Sequence, residues 1–272
     1  NFLFFNYNKN DDKNKMNKYK YKNFKNNNII NITKIKNIDE SEFEKHIFSI
    51  NNFLNKISIN NYENIAEKFI NYYININTNN YNNLDDINNH ILKNIIYNNI
   101  IFSELYVKLL CKLIQINNNF YSSLKKYYII FETITDYLIN NIKENKENIH
   151  LYNKNNDKYK SLCIFIVNCY KYNILNKDFI FKNIINLQNK IIYNIKLENN
   201  KFISEEITEL FNLIILELFK NLTHIKEIDN DHLIYKNIHF LSYINIKDYK
   251  SISHKIKFKN LDLHDKYKKY IL

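Results

Sequence analysis

From Leu84 to Ile114 apolar side chains return at helical spacing on both sides of a short polar break. They fall at Leu84, Ile87, Ile91 and Ile95, then, after Tyr97-Asn98-Asn99, at Phe102, Leu105, Tyr106, Leu109 and Leu113. The stretch predicts two antiparallel helices, each with one apolar stripe. A lone hairpin of this kind cannot cover both stripes, so similar hairpins must stack on either side of it. The expected fold is therefore all-α, an α-solenoid.

The rest of the chain repeats the pattern. A capping box at Ser41-x-x-Glu44 opens a helix with the stripe Phe43, Ile47, Ile50, Leu54, Ile57. Ser58 ends it and can cap a second, with Tyr62, Ile65, Ala66, Phe69, Ile70 and Tyr73. Asn75 to Asn83 reads as a loop before the hairpin above. A fifth helix carries Leu124, Tyr127, Phe131, Ile134 and Leu138, and the polar segment from Asn140 to Asp157, which lacks a period, reads as a long loop. Tyr159, Leu162, Cys163, Ile166, Cys169 and Tyr170 mark a sixth helix; Ile180, Ile184, Leu187 and Ile191 mark a seventh. Ser204 opens an eighth, with Glu205 and Glu206 in its first turn, running through Ile207, Leu210, Phe211, Ile214 and Leu218. Asp229 or Asp231 opens a ninth around Ile234, Ile238 and Leu241, and a tenth lies around Tyr249, Ile252 and Ile256. The expectation is ten helices in five pairs.

Composition excludes several chemistries. The 272 residues contain no Gly, Pro, Trp or Arg, one Ala (Ala66) and roughly a fifth Asn, a bias of the kind that codons rich in A and T produce. Without Gly there is no P-loop and no dinucleotide fingerprint, because both need backbone that approaches a phosphate closely. Without Arg, phosphate contacts fall to Lys as point charges. Helix ends must use Asn where Gly is usual for the left-handed cap. Cys111, Cys163 and Cys169 sit inside apolar helical patterns with no C-x-x-C spacing, which predicts core thiols in a reducing compartment. SLCIFIVNCY and LIILELF are too short for a membrane span. Asn1-Phe2-Leu3-Phe4-Phe5 lacks a basic leader, and a chain that begins at Asn1 reads as a fragment of a longer factor.

Charge gathers at the two ends. Residues 1–38 balance at +7 and show no sustained period, so they read as a basic, flexible arm; residues 247–269 balance at +5, out of +11 for the whole chain. Lys18, Lys20, Lys22 and Lys25, interleaved with Tyr19, Tyr21 and Phe24, suit RNA contact through charge and stacking. A solvated face is the competing meaning of such a run. Catalytic constellations are absent from the pattern. Glu205 and Glu206 are adjacent and diverge on a helix; His232 and His239 share a face but have no third ligand nearby; Asp229-Asn230-Asp231 lacks the Gly and closing Glu of a calcium loop. No enzyme, no metal and no cofactor are expected.

Four segments resemble the middle domain of eukaryotic translation initiation factor 4G, a five-pair HEAT-type solenoid. INNFLNKISINNYENIAEKF is similar to I-L-N-K-L-T-P-x-x-F, with Leu54, Asn55, Lys56, Ile57, Ser58 and Tyr62 at matching positions and Ile59 where Pro is usual. Phe102, Ser103 and Tyr106 match F-S-x-x-Y. Phe165, Ile166, Tyr170, Lys171, Ile174 and Leu175 match the family's run G-N-I-x-F-I-G-E-L-F-K-L-x-M-L, although Ser161 and Val167 replace its glycines and Asn168 its Glu. SHKIKF resembles S-R-I-R-F through Lys255, Ile256, Lys257 and Phe258, with Lys for both arginines. The resemblance spans about residues 41–263, within a HEAT-type domain over 39–272. It implies a cytoplasmic translation-initiation scaffold that binds and stimulates a DEAD-box RNA helicase and contacts mRNA. The helicase would meet Leu54, Asn55, Lys56, Ile57, Ser58 and Tyr62 at one end and Lys255, Lys257 and Phe258 at the other. Relatives in mRNA decay, splicing and nuclear cap binding share the fold, and a purely structural solenoid is the blander alternative. No Tyr-x-x-x-x-Leu-apolar motif for a cap-binding protein occurs in residues 1–38, so such a partner would bind outside this chain.

Overall fold

The computed structural model describes residues 42–78, 83–97, 100–145 and 147–271. The chain forms two units, Asn1–Lys45 and His46–Leu272. Of the first only residues 42–45 are described, and they are the opening turn of α1 (Glu42–Lys56), with Glu42 and Glu44 favourably placed against the helix dipole. Ser41, the expected cap, lies outside the described residues, as does the whole arm 1–38.

The second unit is helical throughout: among the described residues there are twelve α-helices, two short 3₁₀ turns and no strand. After α1 come α2 (Tyr62–Thr78), α3 (Leu84–Tyr97), α4 (Ser103–Ile116), α5 (Asn119–Glu132) and α6 (Ile134–Glu144). They are followed by α7 (Ile149–Lys171), α8 (Lys177–Asn194), α9 (Lys201–Leu218), α10 (Leu222–Ile228), α11 (Leu233–Tyr243) and α12 (His254–Tyr270). Asn and Ser side chains start several of them. Asn148 accepts from Leu151 N, Asn176 from Phe179 N, Asn221 from Thr223 N and Ser253 from Ile256 N. Two asparagines also take left-handed positions: Asn173 (φ 58°) and Asn199 (φ 60°), joined by His232 (φ 55°).

Five expectations need correction. The fifth helix is two, broken at Thr133, whose amide and hydroxyl both donate to Ile129 O at 3.1 and 2.8 Å. The apolar stripe runs on through Ile134 and Leu138 because both arms of the break face the core, so periodicity does not register it. The long loop at 140–157 is mostly helix. Three of its asparagines, Asn141, Asn145 and Asn156, are buried, and amides bond to one another there: Asn145 and the half-buried Asn155 both donate to Asn141 Oδ1, at 2.9 and 3.1 Å, and Asn141 donates to Tyr152 O. A hydropathy pattern cannot see a core made of amides. α9 begins at Lys201, three residues before Ser204, so Glu206 lies beyond the first turn. α10, seven residues long, was not expected at all. The last helix starts only at His254; ahead of it Ser251 is pinned to the α8–α9 connection, its amide donating to Ile195 O at 2.9 Å and its hydroxyl accepting from Asn200 N at 2.9 Å.

Packing follows chain order. α1 meets α2 where His46 Nδ1 and Tyr72 OH hydrogen-bond at 2.7 Å, and Phe53 meets Phe69 edge-on. It meets α3 where His90 Nε2 and Asn51 Oδ1 lie 2.8 Å apart. α2 packs on α4, α3 on α5, α4 on α7, α7 on α9, α8 on α11 and α9 on α12, while α3–α4, α8–α9 and α11–α12 pack as neighbours. α7 is the centre. Ser161 through Tyr170 are all buried, which marks a helix apolar all round and enclosed by others, here α3, α4, α5, α6 and α9.

Candidate functional site

The turn between α1 and α2 separates packing from exposure within a few residues. Leu54 (1% exposed), Ile57 and Tyr62 are core, and Tyr106 OH donates to Leu54 O at 3.3 Å. Asn55 and Lys56 are exposed and Ser58 is half-buried. Asn61, not the Ser58 hydroxyl, locks the turn: its Oδ1 accepts from Ser58 N and its Nδ2 donates to Lys56 O, both at 2.8 Å. These two hydrogen bonds tie down the backbone of the corner on which the exposed Lys56 stands. Of the expected partner-binding side chains here, Leu54, Ile57 and Tyr62 are engaged in packing, and Asn55 and Lys56 offer the surface.

At the other end of the unit, Lys255 reaches between Glu205 and Glu206 at 4.0 and 3.9 Å, and Lys257 donates to Ile244 O at 3.3 Å. Phe258 is 57% exposed and its ring stacks on His254. This group sits on α12, which packs on α9 and α11, whereas the α1–α2 turn is built with α3 and α4. The two sets are not brought together. Lys18, Tyr19, Lys20, Tyr21, Lys22, Phe24 and Lys25 lie outside the described residues.

The other singled-out residues have local roles. The Asp229 carboxylate accepts from Ile234 N at 2.8 Å and Tyr235 N at 3.0 Å, so it caps α11, and burial raises its pKa against those two hydrogen bonds. His239 stacks on the buried His264 and on Tyr235, while exposed His232 makes the left-handed entry to α11. Among the described residues no three His, Cys, Asp or Glu gather as a metal site. Cys163 and Cys169 are fully buried and Cys111 half-buried, and burial pushes all three thiols up.

Two clefts remain. A cavity of about 470 Å³ opens beside the end of α7, where Lys171 Nζ donates to Glu217 at 2.9 Å and Lys220 meets the same carboxylate at 2.6 Å. Across it Tyr172 OH donates to Glu104 at 2.8 Å. Burial raises the Glu104 carboxyl, but that hydrogen bond with the charges of Lys171 and Lys108 outweighs it and leaves the pKa lowered. Its charges are paired internally.

A larger cavity, about 660 Å³, lies between α6, α7 and α9 and is mostly apolar. Its rim carries exposed Ile149, Asn153 and Phe202; its floor holds buried Asn145, Asn156 and Glu206. Asn156 Nδ2 donates to Glu206 Oε2 at 2.5 Å and contacts Tyr152 OH at 3.3 Å, and Asn156 Oδ1 has no hydrogen-bond partner. Burial raises the Tyr152 phenol, and the neighbouring Glu206 charge raises it further. Reading the sequence missed this floor. The signal that was available is spacing: Glu206, Leu210, Leu213 and Glu217 fall on one α9 face, so the stripe carries a carboxylate at each end.

No family model, curated protein or solved structure matches the chain. No described helix is long and apolar enough to cross a membrane.

Proposed function

We propose that the chain is a binding scaffold made of five stacked helix pairs, α1–α2, α3–α4, α5/α6–α7, α8–α9 and α11–α12, with α10 inserted between the last two. The order of packing carries this reading. First helices neighbour first helices (α1 with α3, α3 with α5, α8 with α11) and second helices neighbour second helices (α2, α4, α7, α9, α12 in succession). Stacking of that kind is what single-stripe hairpins require. It presents extended surfaces for partners, and the paired charges of the α7 cleft offer no nucleophile with a base. The partner implied by the four resembling segments is the DEAD-box RNA helicase of the initiation-factor-4 complex, met by Asn55 and Lys56 at one end and by Phe258 with its flanking lysines at the other, in the cytoplasm, with mRNA engaged by the basic arm.

The test is a retention and ATPase assay with a eukaryotic initiation-type DEAD-box helicase. Wild type should retain the helicase and raise its ATPase rate, and Lys56→Glu should weaken both while leaving the melting temperature unchanged, because the ammonium is exposed. No retention by wild type, or undiminished retention by Lys56→Glu, removes the reading at this turn. For RNA, each lysine engaged on a single strand adds about −0.7 to the slope of log affinity against log salt. With about four to six engaged the slope is about −3 to −4. Deleting residues 1–38 should flatten it; equal slopes with and without the arm leave the arm no RNA role.

A further inference from the structure

The larger cavity is separate from the α1–α2 corner and meets the α12 surface only through Lys255, which pairs with Glu206 on its floor. Its volume of about 660 Å³ is in the range that encloses most of a small organic ligand, with apolar walls and few convergent polar groups. At its floor the Glu206 carboxylate accepts from the Asn156 amide, and the Tyr152 hydroxyl stands within hydrogen-bonding reach of the same carboxylate. Glu206 is 9% exposed and carries a carboxylate, and Asn156, 5% exposed, spends its amide nitrogen on that carboxylate, which leaves a carbonyl oxygen without a donor. The reverse amide orientation would set oxygen against oxygen, so the assignment is fixed by the partner. A buried acceptor left unmet is costly, and a buried carboxylate calls for a close cation.

One of the protein's own cations already pairs with that carboxylate, at the edge of contact distance. Lys255 stands 3.9 Å from Glu206, beyond hydrogen-bond length, and is shared with Glu205. Lys160 lines the cavity, but its charge acts on Glu209, whose closest partner is Lys259 at 2.6 Å. The walls beside the acceptors are the Tyr152 and Phe202 rings, 5.9 Å apart, and the side chains of Ile142 and Ile149. Aromatic faces next to a carboxylate favour a cation with an apolar body.

We infer that the cavity between α6, α7 and α9 binds an amphipathic cation: an ammonium or guanidinium, held by Glu206 and Asn156, at the end of an apolar or aromatic body that lies against Tyr152, Phe202 and Ile149. Such a group reaches the site as a free arylalkylamine or as the basic side chain of a partner peptide.

Calorimetric titration of the full chain tests this with 4-phenylbutylamine, its isosteric alcohol 4-phenylbutanol, and a blocked Leu-Arg-Leu tripeptide. The amine should bind saturably and at least tenfold more tightly than the alcohol. Binding of the amine alone assigns a free ligand; tighter binding of the tripeptide assigns a partner side chain. Glu206→Gln, which keeps the floor's shape and a hydrogen-bonding oxygen, should weaken the cation at least tenfold while leaving the alcohol unchanged, and Glu205→Gln should change neither. Because a floor substitution can disturb folding, Phe202→Ala on the exposed rim is the second variant; it should weaken both amine and alcohol at an unchanged melting temperature. Failure of both the amine and the tripeptide to bind, equal binding of amine and alcohol, or full binding by a folded Glu206→Gln protein overturns the assignment.

Discussion

Glu217 shows how much a single side chain can hold. Its carboxylate, 4% exposed, meets Lys171 (8% exposed) on one oxygen and the more exposed Lys220 on the other. Lys171 also donates to Asn168 Oδ1, and Asn168 to Ser103, so the charge anchors a buried amide chain between α7 and α4. Removing one member of a buried pair strands its partner. Glu217→Gln leaves Lys171 buried without a carboxylate and should cost about 3–5 kcal/mol. Lys171→Met leaves Glu217 still facing Lys220 and should cost less, about 1–3 kcal/mol. Urea denaturation of both variants decides it, and the reverse ranking would show that Lys220 does not carry the charge. From the sequence Lys171 appears only as one position of a family-like segment, and Glu217 on the same stripe as Leu210 passes for an interruption. Leu54, Ile57 and Lys56, by contrast, are legible, because the two apolar residues fall on the stripe and the lysine falls off it.

At the scale of the element, a chain without Gly must end its helices on other residues. After α7 the backbone reverses at Asn173, φ 58°, and Ile174 N and Leu175 N both close on Cys169 O at 2.8 and 3.2 Å. A Cβ in the left-handed region is strained unless the side chain can satisfy local backbone, as Asn does. Asn173→Ala should therefore cost about 1 kcal/mol, whereas Asn173→Gly should be neutral or stabilising. Thermal melts of the two variants check this, and equal loss from both would place the value of Asn173 in its side-chain contacts instead. Helix starts at Asn148 and Asn176 follow the same economy of residue types. What pattern reading missed at this scale are breaks and helices whose inner face is polar: the Thr133 break keeps its apolar register, and the 140–157 segment buries asparagines.

For the whole unit, acid stability has opposing contributions. Burial raises the Glu209 carboxyl, but the hydrogen bond and charge of Lys259, with Lys160 and Lys255 behind it, leave its pKa lowered. Glu104 is lowered too. Their stabilisation is complete above the unfolded carboxylate value, about 4, and is lost as pH falls below it. Asp229 acts in the other direction. Its raised pKa means that the native state holds the proton longer, so stability falls as pH rises from the unfolded value to the folded one. Lys259→Met should make the acid limb shallower and Asp229→Asn should make it steeper, read as urea midpoints between pH 3 and 6; unchanged limbs would mean that neither group couples to folding. The sequence by itself determined the helical class, most stripes and the exposed corner at Lys56, because burial of an apolar face is written locally as a period of 3.6 residues. Only the tertiary structure decided which polar residues go inside. Asn156, Glu206, Glu217 and Asn141 are buried because a partner on another turn or helix meets each of them, and hydrogen-bond complementarity across elements leaves no period in the chain.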